Sequence, residues 1–169
     1  KVLIESRALP KHEMDSIIEN LTHLARKEEQ SIIKQMMANE KHLYVELNHK
    51  KDLLNTLWQL SLTIQSKKVI KMHYKREFDE QANERKVKPV GIIFSEYYFY
   101  LITYPMNTDF DYPTIYRVDR IEQFEQTPTS FKVPYHERFQ EGEFRKRVQF
   151  MYTGELLNVK FKFTGSSPQ

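Results

Sequence analysis

Basic side chains and tyrosines share the middle of this sequence, and these two residue types together suit the binding of an anion. Residues 67–90 contain eight Lys and Arg against four Asp and Glu, and Arg117 and Arg120 follow further along the chain. Guanidinium and ammonium groups bind phosphate, and an aromatic ring stacks on a nucleobase for about 1–3 kcal/mol. The pattern predicts a site for single-stranded nucleic acid. The alternative is a solvated basic face over a tyrosine-rich core.

Patterns for catalysis and metal binding are weak in comparison. His12 and Glu13 begin like the HExxH zinc motif, but its second histidine is missing. His42 and His49 lie seven residues apart on one potential helix face, with no third ligand at metal spacing. The sequence also lacks the GxSxG, GxGxxG and GxxxxGK motifs of nucleophilic and phosphate-binding loops. We therefore expect no enzyme activity, no cofactor and no metal, and a nucleotide hydrolase is the least favoured function.

Composition narrows the class of protein. The chain has 169 residues, no cysteine and four glycines, with 26 Lys and Arg against 23 Asp and Glu. The lack of cysteine excludes a disulfide scaffold and every cysteine-ligated metal site, and it is typical of a reducing compartment. The mean hydropathy is −0.67, and no apolar run approaches the roughly 18 residues that a membrane span needs. We expect a cytoplasmic protein that contacts no membrane.

The distribution of aromatic residues divides the chain into a helical and a β-rich part. Residues 1–73 contain only Tyr44 and Trp58 of the 22 aromatic residues, and the others lie between residues 74 and 163. Aromatic and β-branched side chains favour strands over helices. We predict a helical connector that also dimerises the protein at 1–65, a sensor domain at 66–130, and a linker with a truncated C-terminal extension at 131–169.

Three amphipathic stripes predict three helices within the connector, around residues 17–24, 32–37 and 53–64. Asp52 precedes the third stripe and is the predicted N-cap of that helix. The apolar residues at 36–37 and 53–64 exceed what one small domain can cover, so we expect the helices to contribute to a homodimer.

Beyond Lys67 the hydrophobic period drops to two, which predicts short antiparallel strands. Pro89 indicates either an edge strand or a bulge. The spacing of the strands is typical of a small barrel or sandwich. A short helix is predicted at 134–146 and a last strand at 156–164. The five strands of the sensor domain are predicted at 70–74, 87–94, 97–104, 114–118 and 121–125.

Four of these segments, in order and spacing, resemble the WYL-domain family of bacterial transcription regulators. The family pattern has an apolar–x–x–x–Tyr strand, then Arg–x–x–x–Pro, then Trp-Tyr-Leu, then Arg–x–x–Arg-Ile. Phe99 replaces the tryptophan of that pattern, which exchanges one flat aromatic ring for another. The matching segments are Ile70-Lys-Met-His-Tyr74, Arg85-Lys-Val-Lys-Pro89, Phe99-Tyr100-Leu101 and Arg117-Val-Asp-Arg120-Ile121.

The resemblance implies an α+β fold with a helical connector, a small SH3/Sm-like antiparallel β-barrel and the start of a C-terminal α/β extension. It also implies that the barrel senses an anionic oligonucleotide or nucleotide and controls a DNA-binding head. We accordingly expect a longer regulator whose winged helix-turn-helix head, absent from this sequence, contacts operator DNA. The competing hypothesis is an oligomerisation module with no ligand of its own.

The resemblance also assigns the candidate ligand-binding residues, which we expect to form a pocket where the arginines converge beside Tyr100. Tyr74 and Tyr100 are equally compatible with core packing. Arg117 alternates with Ile115 and needs either an anionic ligand or Asp119 as its partner. Arg120 is equally compatible with an ion pair to a glutamate. The candidate residues are Tyr74, Arg85, Tyr100, Arg117 and Arg120.

Overall fold

The architecture is α+β, as the sequence predicts. The structure, a computed structural model, describes residues 1–49, 51–106 and 113–133, together with residues 139, 140, 142, 144, 160 and 162. Within these residues the helices are α1 (Val2–Glu5), α2 (Lys11–His23), α3 (Lys27–Met36), α4 (Ala38–His42) and α5 (Leu54–Gln65). The strands are β1 (Lys68–Tyr74), β2 (Asn83–Ser95), β3 (Tyr98–Pro105), β4 (Thr114–Arg117) and β5 (Ile121–Ser130). A 3₁₀ turn, Val118–Arg120, connects β4 to β5.

The strands form one antiparallel sheet in the order β4-β3-β2-β1-β5. Its edges are β4 and β5, and no pairing joins these two strands in the described ranges. The sheet is therefore open, and the predicted closure into a barrel is not confirmed. The physical reason is the short connection between β4 and β5. Strand β4 has only four residues and leads directly into the 3₁₀ turn, so it forms no hydrogen-bonded ladder with β5.

Alternation along β1 and β2 agrees with the predicted period of two. Ile70, Met72 and Tyr74 are buried, while the intervening Lys71 and His73 are only half-buried. This alternation is expected because successive side chains of a strand point to opposite faces of the sheet. In β2 the register against β3 shifts between Pro89 and Gly91, so the proline occupies a bulge within an interior strand.

One face of the sheet packs against the helices and contains the main hydrophobic core. Met72, Leu101 and Tyr116 from the sheet join Met14 of α2 and Leu60 of α5 in this core. The opposite face carries Gly91, whose Cβ, if present, would lie 2.4 Å from Cδ1 of Phe139. Glycine at this position therefore allows the phenyl ring to contact the sheet backbone.

The C-terminal part of the chain is described at a few positions only. Within the predicted helix at 134–146, Gly142 and Phe144 are helical, and the amide of Phe144 donates a hydrogen bond to the carbonyl of Gln140 at 2.9 Å. The remainder of that helix, and almost all of the predicted strand at 156–164, lie outside the described residues. None of the helices in the described ranges combines the length and apolarity that crossing a bilayer requires.

A buried glutamate, and not the predicted aspartate, caps the helix that precedes the sheet. The carboxylate of Glu13 in α2 accepts the backbone N–H groups of Leu53 at 3.0 Å and Leu54 at 2.9 Å, where α5 begins. Asp52, the predicted N-cap, is exposed and pairs instead with His12 at 2.8 Å. The prediction was wrong because local sequence cannot reveal a carboxylate that arrives from a distant helix.

We predict that Glu13→Ala destabilises the protein by about 2 kcal/mol, because the buried amide of Leu53 and the part-buried amide of Leu54 lose a charged acceptor. The measurement is the free energy of unfolding from urea titration followed by circular dichroism. Glu19→Ala is the matched control, since Glu19 is exposed on the same helix. Equal stabilities of the two variants would contradict the capping role of Glu13.

Candidate functional site

Strands β3 and β4 bring Arg117 and two tyrosines together on one face of the sheet. Tyr100 and Arg117 are directly opposite in the β3–β4 register, so their side chains share a face. Tyr98 lies on that face as well, and the guanidinium carbon of Arg117 is 3.5 Å from the centroid of its ring. This distance is a cation–π contact, which holds the guanidinium flat against the aromatic ring.

Asp119 is the counterion of Arg117. Its Oδ1 accepts a hydrogen bond from Nε of Arg117 at 3.0 Å, and its Oδ2 accepts one from Nη2 at 2.6 Å. The Asp119 side chain is 5% exposed and the Arg117 side chain 22%. Burial opposes the charge of Arg117, but the hydrogen bonds and the charge of Asp119 outweigh burial and raise the pKa of the guanidinium. The pair is therefore charged and geometrically fixed.

The guanidinium of Arg117 keeps donors that Asp119 does not use. An arginine carries five N–H groups in a planar fork, and Asp119 accepts from Nε and Nη2 only. In the part of the chain that the structure describes, no other group accepts a hydrogen bond from this guanidinium. The side chain is 22% exposed, and guanidinium donors of this kind suit a carboxylate or a phosphate.

Tyr100 borders the guanidinium and is itself half-buried. Burial disfavours the charged phenolate and raises the pKa of Tyr100, while the nearby charge of Arg117 acts in the opposite direction. The hydroxyl is therefore neutral near pH 7 and available as a hydrogen-bond donor or acceptor beside Arg117.

Tyr74 and Arg85 lie on the other face of the sheet from the Arg117 side chain. The Tyr74 ring meets the ring of Tyr116 edge-on at 4.8 Å, and Tyr116 alternates with Arg117 along β4. Burial raises the pKa of Tyr116, and Arg85 is close enough to counteract this rise with its charge. Tyr74 still touches the candidate site, because its hydroxyl accepts the backbone N–H of Arg117 at 3.3 Å.

Arg120 forms an ion pair with a glutamate, one of the two alternatives that the sequence leaves open. Its Nη2 is 2.7 Å from Oε2 of Glu77 in the loop after β1, and Glu77 is 68% exposed. The carbonyl of Arg120 also accepts the backbone N–H of Lys75 at 3.1 Å. Arg120 thus attaches the 3₁₀ turn to the end of β1, and the structure does not bring its guanidinium beside Tyr100.

Sequence reasoning missed two residues of this region. Tyr98 shares the period-two pattern with Tyr100, so the signal was present in the alternation of the strand. His49 belongs to the connector, and nothing in the sequence places it near β4. In the structure, Arg117 and Asp119 both influence the pKa of His49, which burial lowers.

A separate group of side chains has metal-ligand types but another role. Ligand atoms of His12, Glu13 and Asp52 all lie within 4.8 Å of one another. Both oxygens of Glu13 already accept the amides that begin α5. A metal ion would have to compete with the cap of that helix, so the arrangement does not favour a metal site.

Comparisons with known proteins agree with the resemblance seen in the sequence. Residues 55–126 match the WYL domain, a range that includes α5 and nearly the whole sheet. Among solved structures, Proteasome accessory factor B/C (PafBC) of Arthrobacter aurescens is similar, with a TM-score of 0.40 and 17% sequence identity. The similarity covers 45% of this chain and 12% of the PafBC chain, so this chain corresponds to a small part of that protein. A search of curated proteins finds no significant match.

We predict that Arg117→Ala destabilises the protein by about 3 kcal/mol, because it leaves the carboxylate of Asp119 buried without a cation. Arg120→Ala is the matched control and should cost at most about 1 kcal/mol, since an exposed ion pair contributes little. The free energies of unfolding from urea titration measure both effects. An Arg117→Ala variant no less stable than Arg120→Ala would contradict the importance of the buried pair.

Proposed function

We propose that residues 55–126, which form the WYL domain of this chain, sense an anionic ligand for a bacterial transcription regulator. The ligand is a nucleotide or a short single-stranded oligonucleotide, and it binds Arg117 beside Tyr98 and Tyr100. Its binding controls a DNA-binding head that the full-length regulator supplies and that contacts operator DNA in the cytoplasm.

The observation that carries this proposal is the state of Arg117. Its guanidinium is oriented by Asp119 and Tyr98, yet it retains unused donors at a partly exposed edge. Such a preoriented fork matches the geometry of a phosphate group, which accepts two parallel hydrogen bonds from arginine. Neighbouring tyrosines add aromatic surface for a base, which favours nucleotides over inorganic anions.

The other candidate residues support the same site from further away. Tyr74 positions the backbone of Arg117 through its hydroxyl. Arg85 and Arg120 flank β4 on its other side and in the 3₁₀ turn, and a longer oligonucleotide that passes around this sheet edge would contact them. We propose that phosphate contacts with these two arginines increase the affinity for a longer oligonucleotide. Arg117 makes the contact that binding requires.

We propose an SH3/Sm-like arrangement for this domain. The first and last strands are neighbours in the sheet. We propose residues 1–65 as the connector, 66–130 as the sensor and 131–169 as the beginning of a C-terminal extension. The match to the WYL domain, at residues 55–126, begins within α5.

We expect a 5′-phosphorylated tetrathymidylate to bind the wild-type chain and Arg117→Gln to lose this binding. Isothermal titration calorimetry at two salt concentrations measures it, and the logarithm of the affinity should fall by about 0.7 per contacted phosphate for each unit in log salt. Arg117→Lys should restore binding only in part, because an ammonium group cannot form the bidentate contact.

Arg26→Gln is the control for the loss of one positive charge, since Arg26 is exposed at the start of α3. Short RNA and cyclic dinucleotides tested in parallel identify the preferred ligand class. Wild-type protein that binds none of these anions, or an Arg117→Gln variant that binds as well as wild type, would refute the proposed site.

A second function, assembly into a homodimer, is favoured by the apolar side chains that the helices leave exposed. Helix α3 has no buried residue, and its Ile32 and Met36 are 57% and 65% exposed. On α5 the ring of Trp58 is 62% exposed. Large exposed apolar side chains often mark an interaction surface, and a second copy of the chain is the proposed partner.

We expect the wild-type chain to sediment as a dimer and the double variant Met36→Glu/Trp58→Arg to sediment as a monomer with unchanged helicity. Analytical ultracentrifugation and circular dichroism measure these properties. Phe78→Ser is the matched control, because Phe78 is 96% exposed but lies in the loop between β1 and β2. A monomeric wild type would remove the support for this function and leave the ligand site unaffected.

A further inference from the structure

The phenyl ring of Phe139 lies on the same face of the sheet as the proposed ligand site. Gly91 of β2 is directly opposite Ile102 of β3. Tyr100, two residues before Ile102, is directly opposite Arg117. Since alternate residues of a strand share a face, a Cβ at Gly91 would point to the face of Arg117. It would lie 2.4 Å from Cδ1 and 2.5 Å from Cε1 of Phe139, so the ring edge contacts the sheet backbone there.

This contact depends on the absence of a side chain at Gly91. The φ angle of Gly91 is not positive, so the backbone itself does not demand glycine at this position, and the ring of Phe139 does. Ile93 and Ile102 on the same face are 1% and 0% exposed, and neither belongs to the core beside the helices. Phe139 is half-buried, so its ring keeps surface for a further contact.

The guanidinium and two further aromatic rings form a row along β3. The guanidinium of Arg117 lies over the ring of Tyr98. Tyr100 is the next residue on that face, and Phe139 lies beside the one after it, Ile102. Neighbours on one face of a strand are about 7 Å apart, so the positions of Tyr98 and Ile102 are about 13 Å apart. A base attached to a phosphate on Arg117 reaches Tyr100, and only the next base of a strand reaches Phe139.

We propose that Phe139 stacks on the second base of the ligand, so that the site selects dinucleotides and longer single strands over mononucleotides. This inference rests on the proposed anion site and decides which ligand class that site takes. Every nucleobase has a face that stacks on an aromatic ring, so Phe139 adds affinity without reading sequence. Arg117 keeps both hydrogen bonds to Asp119 and binds the phosphate through its remaining donors.

Three ligands separate the second base from the additional charge. They are thymidine 5′-monophosphate, 5′-phosphorylated dithymidylate, and the same dinucleotide with an abasic second residue. By isothermal titration calorimetry we expect wild-type protein to bind dithymidylate about ten-fold more tightly than the abasic dinucleotide, the scale of one stacked base. Phe139→Ala should abolish this difference and leave the affinity for the mononucleotide unchanged. Equal affinities of wild type for the two dinucleotides would overturn the proposal.

Gly91→Ala tests the same ring without altering it, and it serves if Phe139→Ala does not fold. The added methyl group displaces the ring, so we expect the ten-fold difference to disappear. Gly142→Ala is the matched control, because a Cβ there meets no described atom within 4 Å. Phe124→Ala removes a half-buried ring that packs against the helical core, and it should keep the difference. A Gly91→Ala variant that still prefers dithymidylate ten-fold would overturn the proposal, as would a Phe124→Ala variant that does not.

NMR provides a direct readout on the unaltered chain. With isotope-labelled phenylalanine, we expect nuclear Overhauser effects between thymine methyl protons and the ring protons of Phe139 in the complex with dithymidylate. The complex with thymidine 5′-monophosphate should show none at this ring. Dithymidylate that contacts other aromatic rings and not Phe139 would overturn the proposal.

The two levels of the hypothesis fail in different ways. If wild-type protein binds none of the three ligands, or Arg117→Gln binds them as well as wild type does, the proposed function is wrong and the role of Phe139 falls with it. If thymidine 5′-monophosphate binds through Arg117 and the second base adds no affinity, the proposed function stands and the role of Phe139 is wrong.

Discussion

The buried carboxylate of Asp119 is the constraint on which the rest of the site depends. A carboxylate with 5% exposure needs a cation, and Arg117 supplies it through two hydrogen bonds. This pairing fixes the orientation of the guanidinium, and the ring of Tyr98 contacts the guanidinium in a cation–π interaction. The same pairing lowers the tendency of Arg117 to bind another anion, because its charge is already compensated. Asp119 therefore both orients the guanidinium of Arg117 and compensates its charge.

The alternation of strand β4 separates the two sets of candidate residues. Arg117 points to the face of Tyr98 and Tyr100, whereas Tyr116 points to the face that contains Tyr74. The proposed anion site on one face thus lies directly behind the hydrophobic core on the other. The backbone N–H of Arg117 donates a hydrogen bond to the hydroxyl of Tyr74, and this bond connects the site to the core. Repacking of the core would therefore also move the site.

A contact from the helical part of the chain reaches the start of β5, directly after the 3₁₀ turn that contains Asp119. Lys51 binds the carbonyl of Ile121, and Glu13 caps α5 two residues further along the chain. The charges of Asp119 and Arg117 both influence the pKa of His49. Residues 1–65 are therefore attached to the sheet directly after the turn that contains Asp119.

The sequence by itself determined the α+β class and the five strands of the sheet. These features follow from local periodicity and from the separation of aromatic residues, which depend on near neighbours in the chain. The short motifs also carried the WYL resemblance, and Arg117 with Asp119 as its possible partner followed from two residues in one turn.

Only the tertiary structure decided the contacts between distant segments. Glu13 replaced Asp52 as the cap of α5, Arg120 paired with Glu77, and His49 came to lie near β4. It also placed Arg85 and Arg117 on different faces of an open sheet. Each of these outcomes depends on strand register and on helix packing, and the hydrogen bonds of Glu13 and Arg120 join residues 40 or more positions apart. Local spacing contains no information about them, because many distant partners satisfy the same buried amide or carboxylate equally well.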